Sequence, residues 1–253
     1  MGKPGGRNRF SNDPPPVIGH RGAAGHAPEN TLVSIQKAFD LGARWVEFDV
    51  MLSADGVPIL FHDDKLKRIT GQKGLTAEHT LAQLKKLDAG RWFAPAFAGE
   101  PIPTLTEALA LLAKLGMGAN VEVKPTKGLE AETGRVVGAA LARDWPDNLP
   151  APLISSFSTA ALRSFAAAAP AYPRALLVWP MPKDWRRQLE DLGCVAMHCL
   201  SRKLREPRAR DVLAAGYGLR AFTVNHAGRA RQLFEWGVDG VFTDYPDRIL
   251  KIL

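Results

Sequence analysis

Short apolar runs alternate with amphipathic ones along this chain of 253 residues. Val17-Ile18-Gly19 is a brief apolar run behind three prolines. Over 31–41 the period changes: Leu32, Ile35 and Phe39 recur at helical spacing, with Asn30 as the expected N-cap and Gly42 as the stop. Residues 44–51 then read as a strand. Further strands are predicted at 119–123, 153–156, 174–178, 194–197, 219–224 and 237–242. Helices are predicted at 105–115, 129–144, 159–168, 185–192, 208–215, 227–236 and 246–253. Eight strands, each followed by a helical segment, imply a closed parallel (β/α)8 barrel, the TIM-barrel class of α/β fold.

One crossover breaks the rhythm, between the second and third of these strands. There Asp55-Gly56 reads as a turn, 57–61 as an extra strand and 80–87 as a helix, while 90–103 is rich in Gly, Pro and aromatics. The pattern gives a single barrel domain over 14–253 with a small insertion at 52–103, after a flexible tail at 1–13. Such loops sit on the catalytic face of a barrel. Trp92, Phe93 and Phe97 are candidates for a pocket wall, or equally for packing the insertion onto the barrel.

Composition narrows the class. With 46% hydrophobic and 23% charged residues, the chain reads as soluble and globular. No stretch is apolar enough to span a bilayer, and the basic N-terminus lacks the apolar core of a signal peptide. A cytoplasmic protein without membrane insertion is expected. The net charge of +7 comes from scattered lysines and arginines, apart from a cluster over 202–210 that reads as a solvated face. No nucleic-acid partner is expected; an anionic small molecule is compatible with this charge. Cys194 and Cys199 flank an apolar run and are expected as buried free thiols.

The candidate chemistry begins with Glu47 and Asp49, two apart on a predicted strand. Alternation puts both on one face and Val46, Phe48 and Val50 on the other. Two carboxylates inside a barrel repel and lose hydration, and a cation would offset that cost. A solvated edge strand is the bland alternative, disfavoured by the apolar flanks. Glu122 and Lys124 repeat the spacing, serving either the same site or a structural ion pair. An all-oxygen ligand set favours one Mg²⁺ or Ca²⁺ over zinc. His20 follows the first strand and His62 the extra one, and imidazoles suit proton transfer near neutrality. The Arg21 guanidinium can bind phosphate oxygens. Glu29 either orients Arg21 or a histidine, or simply favours the helix start. His198 ends the sixth barrel strand, lining the pocket or serving structure. Phe222 offers an aromatic wall. Asp239 and Asp244 flank the last strand as turn and cap residues.

His20-Arg21-Gly22, Pro28-Glu29-Asn30-Thr31, Glu47-Phe48-Asp49 and Phe61-His62-Asp63 occur in the order and spacing of the glycerophosphodiester phosphodiesterases. Val121-Glu122-Val123-Lys124-Pro125, Ile154-Ser155-Ser156-Phe157, Thr223-Val224-Asn225 and the run from Asp239 to Pro246 continue the match. From Pro16 to Leu253 the chain resembles that family in its bacterial, cytoplasmic form. The resemblance implies metal-dependent hydrolysis of glycerophosphodiesters to sn-glycerol 3-phosphate and an alcohol. It implies His20 and His62 as general acid and base, and Glu122 as a third metal ligand beside Glu47 and Asp49. Arg21, Lys124, Phe222 and His198 would bind substrate, with Glu29 supporting them. Phe222 stands where the family often has tryptophan, which keeps the aromatic wall without the indole N–H. Two alternatives stand beside this reading: a phospholipase D-like or phosphoinositide-specific phospholipase, and a non-catalytic phosphoester-binding barrel. The absence of an evident exposed apolar helix argues against the first, and the intact acids and histidines against the second. The alcohol, the attacking oxygen and the oligomeric state stay open.

Overall fold

The computed structural model describes residues 14–253; the tail expected over 1–13 lies outside the described residues. Nine strands follow in chain order: β1 (Val17–Gly19), β2 (Trp45–Leu52), β3 (Pro58–Leu60), β4 (Gly118–Val123), β5 (Leu153–Ser156), β6 (Arg174–Val178), β7 (Ala196–Leu200), β8 (Gly218–Phe222) and β9 (Gly240–Thr243). All but β3 are parallel, and β1 pairs with both β9 and β2, so eight strands close into a barrel. The helices are α1 (Leu32–Asp40), α2 (Lys67–Thr70), α3 (Leu81–Leu84), α4 (Leu105–Leu115), α5 (Glu130–Asp144), α6 (Thr159–Ala168), α7 (Trp185–Leu192), α8 (Glu206–Ala214), α9 (Ala227–Glu235) and α10 (Pro246–Leu250). This is the predicted TIM barrel.

Side-chain parity on the strands builds two layers. Val46, Phe48 and Val50 face outward into one cluster with Ile35 and Ala38 of α1 and Leu105, Leu109 and Leu112 of α4. Trp45 faces inward, in a cluster with Ile18, Leu153, Ala175, Ala196 and Phe242. These residues fill the inside of the barrel. Gly118 exists because of Trp45: a Cβ there would lie 2.2 Å from the indole.

The insertion starts with an antiparallel hairpin, Val50 opposite Leu60. Met51 of β2 joins Ile59, Phe61, Leu66, Ile69, Leu84 and Ile102 in a small core of its own. Within it α3 is shorter than the helix expected over 80–87. Two other expectations are corrected. The sixth barrel strand runs over Ala196–Leu200 rather than 194–197, so His198 sits in mid-strand and fully buried. Thr31, not Asn30, caps α1, its hydroxyl accepting from the Ser34 amide. Asn30 has φ 56 and uses its side chain on Asp49 instead.

Candidate active site

The turn after β1 carries His20 and Arg21. Arg21 lies in the left-handed region at φ 49, and Gly22 follows at φ 88. A left-handed arginine is strained and needs holding. The Ser34 hydroxyl of α1 holds it, donating to the Arg21 carbonyl at 2.9 Å and accepting from the Ala23 amide at 2.9 Å. The turn thereby presents the Arg21 amide to Glu47 Oε2 at 2.9 Å. It also places the guanidinium between two carboxylates: Nη1 donates to Glu29 at 2.6 Å, and Nε lies 3.2 Å from Asp49.

Glu47 and Asp49 of β2 and Glu122 of β4 converge as expected. Each offers an oxygen within 4.8 Å of the others. Lys124, just beyond β4, places Nζ 3.5 Å from Glu122. Burial, then the charges of Asp49 and Glu122, push the Glu47 carboxyl well above its ordinary value. Burial and the Asp49 charge push Glu122 up to about 7. Asp49 goes the other way: burial opposes its ionisation, but Arg21, His62, Lys124 and the Asn30 amide hold it below the usual range. Three oxygen donors facing one point, with too little positive charge to ionise them all, fit a hard divalent cation.

Two histidine–aspartate pairs flank this cluster. His20 Nδ1 lies 2.7 Å from Asp244 Oδ1, and His62 Nδ1 lies 2.6 Å from Asp63 Oδ1. A carboxylate only accepts, so each Nδ1 carries the hydrogen and each Nε2 is left for another partner. Burial lowers the His62 value below that of an ordinary imidazole, against the opposing Asp49 charge. Arg68 ties the two halves together. It donates to Asp63 through Nε at 2.6 Å and to both oxygens of Glu29 at 2.8 Å. Burial alone would raise Glu29, but the Arg68 hydrogen bond and the two guanidinium charges hold it below its ordinary value.

His20, Arg21, Glu47, His62, Glu122 and Lys124 line one side of a cavity of 340 Å³. Phe157, Leu177, Trp179, Leu200 and Phe222 line the other, with Asn120, Ser155 and His198 also on its surface. The profile of the glycerophosphoryl diester phosphodiesterase family matches residues 20–248. The chain belongs to this family. It is 31% identical over 262 residues to a glycerophosphodiester phosphodiesterase of Bacillus subtilis, covering 97% of this chain and 88% of that one. It is 30% identical to a glycerophosphodiester phosphodiesterase of Caldanaerobacter subterraneus, covering 94% and 97%. Its fold superposes with a TM-score of 0.91 on a phosphodiesterase of Oleispira antarctica solved with the product sn-glycerol-3-phosphate. That pair is 44% identical, with 94% of this chain and 96% of that chain covered.

In this family member the tertiary structure adds residues that the sequence left without a task. Asp244, read as a cap, fixes His20, and is itself held by Asn225 Nδ2 at 2.6 Å. Asn30 brackets Asp49, donating to Oδ2 at 2.9 Å and accepting from its amide at 3.1 Å. Asp63 and Asp244 both lie inside recognised motifs; Arg68 lies in none. Trp92, Phe93 and Phe97 pack edge-to-face on one another, and none lines the cavity. The aromatic wall comes from Phe157, Trp179 and Phe222 instead, with Phe157 and Phe222 T-shaped at 5.8 Å.

Proposed function

We propose that this chain hydrolyses glycerophosphodiesters to sn-glycerol 3-phosphate and an alcohol, using one divalent cation, Mg²⁺ or Ca²⁺. The convergence of two aspartate-bound histidines, three carboxylates, Arg21 and Lys124 on one cavity carries the reading. The product bound to the Oleispira relative supports glycerol 3-phosphate as the product here.

Glu47, Asp49 and Glu122 would hold the cation, which when bound supplies positive charge to the phosphate oxygens. Arg21, fixed by Glu29 and Asp49, and Lys124, beside Glu122, present donors to the same phosphate. Each imidazole has Nδ1 engaged by aspartate and keeps Nε2 for the reaction. One takes the proton of the attacking oxygen; the other returns a proton to the departing alcohol oxygen. Phe222 and Phe157 cover the opposite side, and His198 lies in the same wall.

The same reading takes 14–253 as one catalytic domain, in which the insertion brings His62 to the barrel. Among the described residues no helix is long and apolar enough to cross a membrane. Cys194 and Cys199 are buried free thiols, which burial pushes up to about 12. Reduced cysteines suit a cytoplasmic setting, and the partner proposed is a small diester rather than nucleic acid. A coupled assay for glycerol 3-phosphate released from glycerophosphocholine tests the proposal. Release that stops with chelator and returns with Mg²⁺ or Ca²⁺ is expected; no release with the cation restored would overturn it.

A further inference from the structure

Outside the cavity, the catalytic face carries a basic and aromatic patch whose charges the phosphate contacts do not use. Two neighbouring strands build it, β6 and β7, paired in parallel register. The loop after β6 reads Trp179-Pro180-Met181-Pro182-Lys183. Trp179 is 60% exposed, and Pro180 and Lys183 are exposed beside it. The turn after β7 and the start of α8 bring Arg202, Lys203, Arg205 and Arg208, all exposed. Trp179, Pro180, Arg202 and Lys203 line one open groove. Pro180, Met181, Lys203 and Arg208 line a second, so the two segments form one surface.

The cluster is solvated, as expected from the sequence, but it is not neutralised. Arg210 pairs with Glu206 at 2.6 Å, and Asp184 accepts from Gln188 at 3.0 Å. Residues 179–187 and 201–210 contain no other acid. Among the described residues Lys183, Lys203, Arg205 and Arg208 have no carboxylate partner. Arg202 stacks over the Trp179 ring, 5.7 Å from its centroid. Unneutralised cations gathered in one place attract a polyanion. Composition selects which one. A surface for single-stranded nucleic acid offers open aromatic faces to the bases. Here one face of the exposed indole carries Arg202, and two prolines and a methionine follow it in the loop. A tryptophan among apolar loop residues, ringed by Arg and Lys, suits the boundary between water and an anionic bilayer. The indole settles at headgroup depth and the cations meet lipid phosphates. Such docking needs no helix that crosses the membrane. Trp179 also lines the active-site cavity, so a bilayer held at this patch lies beside the cavity mouth.

We propose that the Trp179 loop and the segment 202–208 dock the catalytic face onto an anionic lipid surface. The test is co-sedimentation of the full chain with vesicles of phosphatidylglycerol mixed into phosphatidylcholine, and with vesicles of phosphatidylcholine alone. Wild type should sediment with the first and not the second, and should be released as salt rises. Lys203→Glu/Arg208→Glu should bind about 10-fold more weakly or worse. Lys114→Glu/Lys251→Glu makes the same change of net charge at the C-terminal ends of α4 and α10, and should bind like wild type. Trp179→Ala should weaken binding severalfold at the same net charge. Thermal melts check that each variant folds, and Lys203→Gln/Arg208→Gln carries the comparison should the reversal not fold. No binding to the phosphatidylglycerol vesicles would overturn the proposal. Equal weakening in both double Glu variants would also overturn it, because the binding would then follow net charge and not the patch. Patch-dependent capture of single-stranded RNA, with the vesicles left unbound, would replace the lipid surface with nucleic acid.

Discussion

A neighbouring aspartate fixes which ring nitrogen of His20 and of His62 carries the hydrogen. Asp244 and Asp63 take the Nδ1 hydrogen of His20 and His62, leaving Nε2 of each ring for another partner. His20→Ala and His62→Ala should each lower kcat by about 10²-fold or more, with Tm close to wild type in a thermal melt. Asp244→Asn should also lower kcat, by about 10-fold or more, because an amide can donate to Nδ1 and favour the wrong tautomer. Wild-type kcat in that variant would remove Asp244 from the machinery. The Asp63 carboxyl carries a pH prediction. Burial opposes its ionisation, yet the Arg68 and His62 hydrogen bonds hold it at about 2 against an ordinary 3.8. A carboxyl held lower in the fold than in the unfolded chain stabilises fully above 3.8 and loses that contribution as pH falls through 2. Tm measured between pH 5 and pH 2 should therefore fall less steeply in Asp63→Asn than in wild type. At this scale the three converging acids were legible, because strand parity fixes the facing of Glu47, Asp49 and Glu122. Their supports were not: Asp244 lies 224 residues from His20, and no local pattern predicts such a pairing.

The insertion is the element that differs most from its expectation. Its helix α3 spans only Leu81–Leu84, and its aromatics stack on each other rather than on the cavity. Arg68 of α2 lies 5.9 Å from the Trp92 ring centroid while holding Glu29 and Asp63, so the aromatic stack backs an arginine that links insertion to barrel. Phe93→Ala and Phe97→Ala should lower stability by about 1–3 kcal/mol in denaturant titrations and leave the ratio of kcat/KM between small and bulky head groups unchanged. Phe157→Ala and Trp179→Ala, at the open rim, should shift that ratio. A shift from the Phe93 or Phe97 variants would restore the insertion aromatics to the pocket wall. Thr31 taking the cap that Asn30 was expected to provide has the same origin. The side chain of Asn30 serves Asp49, a strand away, and a capping pattern contains nothing about that neighbour.

For the whole molecule, the central electrostatic fact is a cluster of acids that burial makes unfavourable. Glu47 and Glu122 both sit above their ordinary values because burial excludes water and the Asp49 charge is close, with the Glu122 charge adding to the effect on Glu47. A cation that binds the fold and not the unfolded chain stabilises it in proportion to the logarithm of its concentration. Added Mg²⁺ or Ca²⁺ at about 100 times its Kd should raise Tm by about 5–10 °C. Glu47→Gln should abolish most of that rise together with activity. An unchanged wild-type Tm across the cation titration would argue against a metal at this cluster.

The barrel itself was legible from the chain. Strands covered on both faces give short apolar runs, the helices between them give a 3.6-residue period, and the alternation of the two implies parallel closure. So was the acid-bearing face of β2, since a two-residue period needs no knowledge of neighbours. Only the closed barrel decided the rest. It brought Asp244, just past the last strand, to His20, just past the first, set Asn120 and His198 in the lining of one cavity from strands far apart in sequence, and tied Arg68 to Glu29. Those pairings depend on which strands become neighbours and at what height, and that is fixed by register and shear around the whole ring rather than by any local stretch of sequence.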